Sequence, residues 1–273
     1  LRMSRGLGDV YKRQPEVPEW VARSNRERYN LSYITPEWRT LYEKGRYLNT
    51  RNWDIVLTGK SRKDKDEPGE GRLKLTSDYD KMLYTPAGNT AVLGFAKQAI
   101  AQFKLGDDAT PDLLNICLDT PRRISEAYGP ESVEVEDMYY RLDRDLADFL
   151  TFVFAQVRNG EVLVVFTSDH GTIRVDNPVK VTGDRETSAN LRYKTGRNLA
   201  YNSRDVYEIL KPEDVQLPSS NLTSSYIFAY NSDFLVYNND ANRHIRYYRN
   251  TFQHGGISME EMIVPYIVLK PKQ

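Results

Sequence analysis

Two short segments carry the residues whose types and spacing could do chemistry. The first is Val164-Val165-Phe166-Thr167-Ser168-Asp169-His170-Gly171, and the second, far downstream, is Phe252-Gln253-His254-Gly255-Gly256. The first is an apolar, β-branched run that ends on an adjacent acid and imidazole. A buried parallel strand presents ligands in this way at its carboxyl end, where open α/β sheets keep their sites. An ionised Asp beside a neutral His suits a borderline metal such as zinc. His254 adds a third donor, and the two glycines after it let the backbone come close. The chain has only three histidines, and two of them sit in settings of this kind. The competing reading is an Asp-His that caps a turn at a strand end.

These ligands need elements to position them. Asp112 to Leu118 and Val162 to Ser168 read as strands. Val92 to Phe103 has helical apolar spacing. A long helix opens at Glu131-Ser132-Val133-Glu134-Val135-Glu136-Asp137, with acids crowding its first turns as the helix dipole favours. Its apolar stripe is Met138, Leu142, Leu146, Phe149 and Val153. Pro18-Glu19-Trp20 and Pro36-Glu37-Trp38 read as helix starts. Ser61 to Arg72 reads as a surface loop, and Gly160 closes the helical part. Short strands follow at Tyr226–Tyr230 and Phe234–Tyr237, and the chain ends on Ile263 to Leu269. Helix then strand, repeated, is the α/β signature.

Composition bounds the function. The 273 residues carry 38 basic and 38 acidic side chains, so no global field argues for nucleic acid or membrane. No apolar run is long enough to span a bilayer. One cysteine, Cys117, excludes an internal disulfide framework and reads as a core packer. Ser4 to Gln14 resembles the translation of a sequencing-library adapter. Leu1–Gln14 is therefore expected to be a scar, with the native chain, residues 15–273, truncated at its amino end.

Two resemblances cover the rest. From Pro15 to about His170 the chain resembles the phosphate-irrepressible alkaline phosphatases. The resemblance rests on Leu83-Tyr84-Thr85-Pro86-Ala87-Gly88-Asn89, on Tyr128-Gly129-Pro130-Glu131-Ser132, on Tyr140-Arg141-Leu142-Asp143 and on Thr167 to Gly171. From Thr167 to Pro271 it resembles the PglZ domain of response regulators that control type IX secretion. That likeness is carried by Gly171-Thr172-Ile173-Arg174-Val175, Gly183-Asp184-Arg185-Glu186-Thr187, Asn190-Leu191-Arg192-Tyr193-Lys194 and Asn250 through Pro265. Both belong to the alkaline phosphatase superfamily, which implies a central mixed sheet flanked by helices and a site for two zinc ions. The parts are then 15–171 and 172–273, meeting at 167–172, where a chimeric join is one expectation.

The implied chemistry is hydrolysis of phosphoric esters. Two metals about 4 Å apart clamp the attacking and leaving oxygens. By resemblance, Asp169 and His170 ligate the nucleophile-side zinc and His254 the other. The nucleophile is expected upstream of Pro15, so no catalytic residue is assigned. Both families place an Asp-x-x-x-His pair before the long helix. One register puts Arg122 and Glu126 there; another puts Asp119 and Arg123. Neither supplies the His, and arginine's fixed positive charge cannot ligate zinc. The second site is therefore expected to be broken and the chain to bind at most one zinc, without catalysis.

Arg185, Arg192, Lys194 and Arg197, with Tyr193 among them, could contact phosphate or steer an oligonucleotide; a solvated loop is the alternative. His244 carries no motif. The PglZ half implies phosphodiester substrates, a cytoplasmic place and a homodimer, or a non-catalytic signalling output domain. The phosphatase half implies phosphomonoesters and the periplasm.

Overall fold

The computed structural model describes residues 17–50, 55–57, 77–157, 162–183, 190–196, 198–218, 225–237 and 241–270. Leu1–Gln14, the loop Ser61–Arg72, Gly160, Arg185 and Arg197 lie outside them. The chain divides into two compact units, residues 1–63 with 71–162 and residues 64–70 with 163–273.

The first unit is helical: α1 (Glu19–Arg26), α2 (Asp78–Leu83), α3 (Ala87–Phe103), α4 (Thr120–Tyr128) and α5 (Val133–Gln156). Helix α5 starts where Ser132 accepts a hydrogen bond from the Val135 N–H at 3.3 Å, as an N-cap serine does. Its expected stripe is the core: Met138, Leu142, Phe149 and Val153 are buried with Leu93, Ala96 and Ile100 of α3, and Leu146 packs against them. Fully buried Asp137 ties this core to the segment before it. It accepts from the Trp38 indole at 2.6 Å, the Leu41 N–H at 2.6 Å, the Tyr47 hydroxyl at 2.5 Å and Arg141 at 2.8 Å. A buried carboxylate is tolerated only with its lone pairs satisfied in this way.

Three expectations change here. Pro36 to Arg39 starts no helix: Arg39 bridges Val56, and the Leu57 N–H donates to the Trp38 carbonyl at 2.8 Å. Burying the Trp38 ring while its N–H reaches Asp137 favours extended backbone over a helical start. Asp112 to Leu118 is extended but pairs with no strand among the described residues. An extended segment becomes a strand only when a neighbour takes its hydrogen bonds. Alternation holds only toward its end, with Ile116 and Leu118 on the core and Cys117 between them exposed, while Leu113 and Leu114 are both exposed. Cys117 falls on the outer face and is exposed rather than a core packer.

The second unit holds nine short strands in four small sheets among the described residues. β1 (Val164–Thr167) pairs antiparallel with β9 (Tyr266–Leu269). β2 (Ile173–Val175) pairs antiparallel with β8 (Thr251–Gln253), and β3 (Asn177–Val181) pairs parallel with β7 (Asp233–Tyr237). β4 (Tyr193–Gly196) and β5 (Val206–Ile209) flank β6 (Ser225–Ala229), both antiparallel. Helices α6 (Ala241–Tyr248) and α7 (Met259–Met262) complete the unit. One core cluster joins Val179, Val181, Val206, Ile227 and Leu235, and another joins Val175, Phe234 and Val236 to Ile245 and Tyr248 of α6. The mixed α/β character is as expected. The strand leading to Asp169 is not buried and parallel, however; β1 is antiparallel and half-exposed.

Candidate metal centre

The β2–β8 ladder explains how two histidines 84 positions apart in sequence meet. Ile173 lies opposite Gln253 and Val175 opposite Thr251. Extending that register past Gln253 leads His254 toward the segment before Ile173, where His170 sits. The two rings stack with centroids 4.1 Å apart and planes 16° from parallel.

Asp169 and His170 form a ligand edge. The His170 N–H donates to Asp169 Oδ1 at 3.0 Å. His170 Nδ1 lies 2.9 Å from the Gly171 carbonyl. A carbonyl only accepts, so in the neutral ring Nδ1 carries the hydrogen and Nε2 keeps the lone pair. Nε2 stands 3.6 Å from Asp169 Oδ2. Two ligands on a tetrahedral zinc with bonds of about 2.0–2.1 Å lie about 3.3 Å apart. Two donors of the right type are thus near the spacing a single ion requires.

The third ligand does not converge on that point. Nearly parallel rings 4.1 Å apart keep their in-plane lone pairs in separate, nearly parallel planes, so the two do not meet at one atom. Among the described residues no group of three His, Cys, Asp or Glu side chains is arranged to hold an ion together. The stacked rings instead present two separate imidazole donors.

A buried ion pair sets this arrangement from behind. Glu261, in α7, receives Arg192 Nε at 3.0 Å and Nη2 at 2.9 Å. Both side chains are almost completely buried, and Arg192 Nη1 also donates to the Asp233 carbonyl. The same carboxylate accepts the Gly256 N–H at 2.9 Å and the Ser258 N–H at 3.3 Å. The Glu261 carbonyl accepts the Gly171 N–H at 2.9 Å. One residue therefore fixes both the turn after His254 and the turn after His170. Burial alone would raise the Glu261 pKa; the Arg192 hydrogen bonds and the Gly256 N–H outweigh it and hold the group below the usual carboxylate range.

The glycines are required by space. A Cβ on Gly171 would lie 1.9 Å from the Glu260 carbonyl oxygen, and one on Gly256 would lie 2.5 Å from Glu261 Oε2. Gly255 has φ +101°, a conformation L side chains rarely adopt. Asn190 closes the turn, donating to the His254 carbonyl at 3.2 Å while accepting from the Arg192 N–H at 2.7 Å.

Arg192 and Lys194 are neither a phosphate-facing strip nor a solvated loop. Arg192 is buried against Glu261. Lys194 is buried with its amine 4.4 Å over the Tyr237 ring, and burial pushes its pKa down to about 8. Arg185 lies outside the described residues. Glu261 is the residue that the sequence reading missed. Its signal was Ser258-x-x-Glu261, a capping-box spacing beside the His254 motif.

In the first unit, the positions that the resemblance led one to expect as ligands of a second metal form an ion-pair network. Asp119, which caps α4, accepts Arg122 Nε at 2.8 Å and Arg123 Nε at 2.7 Å, and Arg122 Nη1 reaches Glu126 at 3.0 Å. The Arg122 hydrogen bond, and Arg123 after it, hold the Asp119 carboxyl below its usual range against partial burial. Both oxygens of Asp119 already face guanidinium, the opposite of a metal's requirement.

Comparison with known proteins shows the family and the fold. Residues 120–269 match the model of the BREX system PglZ alkaline phosphatase-like domain. That span holds Asp169, His170 and His254 and runs across 167–172. The chain is 33% identical over 162 residues to alkaline phosphatase PhoV of Synechococcus elongatus, covering 59% of this chain and 30% of that protein. It is 33% identical over 164 residues to alkaline phosphatase PafA of Elizabethkingia meningoseptica, covering 57% and 29%. The chain thus spans about three-tenths of the length of these relatives. The crystal structure of wild-type PafA superposes with a TM-score of 0.63 over 94% of this chain and 59% of that one, at 20% identity, which shows a shared fold. No helix among the described residues is long and apolar enough to cross a membrane. The chain belongs to the PglZ family of alkaline phosphatase-like domains.

Proposed function

We propose that this chain is the ligand-bearing carboxy-terminal part of a zinc-dependent phosphoric-ester hydrolase domain, and that by itself it holds one zinc without turnover. The observation that carries this reading is the Asp169 Oδ2–His170 Nε2 edge, with Nδ1 tied to the Gly171 carbonyl and the His254 ring stacked beside it. Asp169 and His170 would hold the ion, and His254 would serve a second one. When bound, zinc supplies a Lewis acid for a phosphoryl oxygen and lowers the pKa of an attacking hydroxyl. The chain's own residues then do the positioning. Gly171 fixes the imidazole tautomer, and Glu261 holds both turns. Similarity to alkaline phosphatases favours phosphate esters as substrates, and the PglZ family match favours phosphodiesters among them.

Silence follows from Arg122, Arg123 and Glu126. A guanidinium pair on Asp119 opposes cation binding at those positions. The test is zinc titration of the purified chain, with p-nitrophenyl phosphate and its bis-ester as substrates. One site and hydrolysis at the metal-free blank are expected. Zinc-dependent turnover well above that blank overturns the proposal.

The Arg122–Asp119–Arg123–Glu126 network also favours a second reading. A ligand position converted to ion pairs suits a non-catalytic output domain, such as that of a secretion-controlling response regulator working as a cytoplasmic homodimer. Upstream coding sequence separates the readings. A phospho-receiver domain supports the regulator, a secretion signal supports a periplasmic phosphatase, and a chimeric join within Thr167–Thr172 would break the continuity of the source DNA there.

A further inference from the structure

We propose that Arg174 and Phe252, a cross-strand pair, form a substrate subsite beside the candidate metal centre, with Arg174 taking the phosphoryl oxygens and Phe252 an apolar group attached to the phosphorus. The β2–β8 ladder sets the two residues directly opposite each other, and opposite residues of an antiparallel pair share a face. Exposure shows which face it is. Thr172, Arg174, Phe252 and His254 are exposed, whereas Ile173 and Val175 turn inward onto Phe234 and Val236. His254, one position past β8, is therefore the diagonal neighbour of Arg174. Such neighbours stand about 7–8 Å apart, within reach of a long side chain. The His170 ring stacks on His254, so the arginine shares a face with the imidazole pair.

Arg174 is uncommitted. Among the described residues no carboxylate, carbonyl or ring engages its guanidinium. Asp176, two positions along, accepts the Ser232 hydroxyl at 2.7 Å. Arg122 and Arg123 are held by Asp119, Arg141 by Asp137 and Arg192 by Glu261. A guanidinium left open beside metal ligands repels a cation unless an anion lies between the two. A tetrahedral phosphoryl group is such an anion, with oxygens for the metal and others for the planar fork of an arginine. Arg192 and Lys194, the expected phosphate contacts, are buried; Arg174 is the exposed cation on this face.

Phe252 supplies the other half. Its ring is 39% exposed, two residues before His254. A large ring held in solvent offers contact area to an organic group and nothing to its charge. The pair therefore selects phosphoryl compounds that carry an aromatic or other apolar group. This rests on the hydrolase reading for its metal and deepens it by naming the residues that hold the substrate.

The test is binding of phenylphosphonate, whose carbon–phosphorus bond resists hydrolysis, to the intact chain by phosphorus NMR, once in EDTA and once with zinc. With zinc, Arg174→Ala should bind at least about tenfold more weakly than the parent; in EDTA, where the contact is solvent-screened, the loss should be about threefold. Arg174→Lys should recover part of the loss, as a point charge without the fork. Zinc affinity of Arg174→Ala should be unchanged or higher, since a cation has been removed; a lower one marks a merely structural role and overturns the proposal. Phe252→Ala should weaken phenylphosphonate about threefold or more and leave methylphosphonate within about twofold; equal loss of both probes overturns it. Arg204→Ala, which removes an exposed arginine between β4 and β5, should change nothing, and a loss there equal to that of Arg174→Ala overturns the proposal. So does binding by Arg174→Ala within about 1.5-fold of the parent in either condition. Failure to bind zinc overturns the hydrolase reading instead, and the titration in EDTA then decides Arg174 by itself.

Discussion

The molecule contains two arginine–carboxylate clusters that do opposite things. Arg192 and Glu261 are almost completely buried, and their pairing holds the turns that present His170 and His254. Arg122, Arg123 and Asp119 are partly exposed, at the beginning of α4, at positions where the family resemblance would put metal ligands. The chemistry of the contacts is alike; burial decides the consequence. In the second unit the ion pair is scaffold for a candidate metal centre. In the first unit the ion pairs join side chains at the start of a single helix.

The largest expected effect lies in the buried cluster. Glu261→Ala leaves a buried guanidinium without its counter-charge and frees the Gly256 and Ser258 N–H groups, so it should lower stability by about 3–5 kcal/mol in denaturant titration. Its pH dependence has a definite sign. The Glu261 pKa is depressed in the folded chain, so its contribution is present above the unfolded value of about 4.3 and is lost as pH falls through the folded value. The variant should lose that acid-sensitive component. A change under 1 kcal/mol would mean that the pair does not hold the turns.

Gly171→Ala should come next. Its methyl meets a backbone oxygen that no rotamer change can move, a cost of about 1–3 kcal/mol. It should also weaken zinc binding, because relieving the clash with the Glu260 carbonyl shifts residue 171, whose own carbonyl sets the His170 tautomer. Unchanged zinc affinity in a folded Gly171→Ala protein would separate the scaffold from the site.

Lys194 sharpens the contrast with the exposed arginines. Its folded pKa of about 8 lies below the ordinary value of about 10.4. The unfolded chain keeps that proton longer, so stability should rise as pH climbs from about 8 to 10.4. Thermal melts of Lys194→Met across that window should lack the rise.

The smallest effect belongs to the exposed cluster. Asp119→Asn should cost no more than about 1 kcal/mol, as for other solvent-screened pairs, and that loss should vanish in acid, since the Asp119 pKa is depressed. A loss as large as that of Glu261→Ala would erase the distinction between the two clusters.

What the sequence revealed follows the range of the interaction. The α5 stripe was legible because Met138 to Val153 repeat at the helical period and the period itself selects the buried face. Ile173 and Gln253 could not be paired from sequence, yet their ladder is what stacks His170 on His254. Arg192 and Lys194 read as solvated because charge usually is; Arg192 is buried because Glu261, 69 positions away, meets it. Leu113 to Leu118 found no ladder partner among the described residues, and only Ile116 to Leu118 alternates between core and solvent. The Asp169, His170 and His254 motifs were visible from residue type alone, and so was the mismatch at Arg122 and Glu126. The network those two join with Asp119 and Arg123 required coordinates.

The central claim is that the second unit offers one metal-binding edge and the first unit offers none. Zinc titration by calorimetry on the intact chain, on His170→Ala and on Arg122→Ala tests it most directly. The account predicts one zinc per chain, affinity reduced at least about tenfold in His170→Ala, and no change in Arg122→Ala. Two zinc ions per chain, or one that survives the loss of His170, would contradict it.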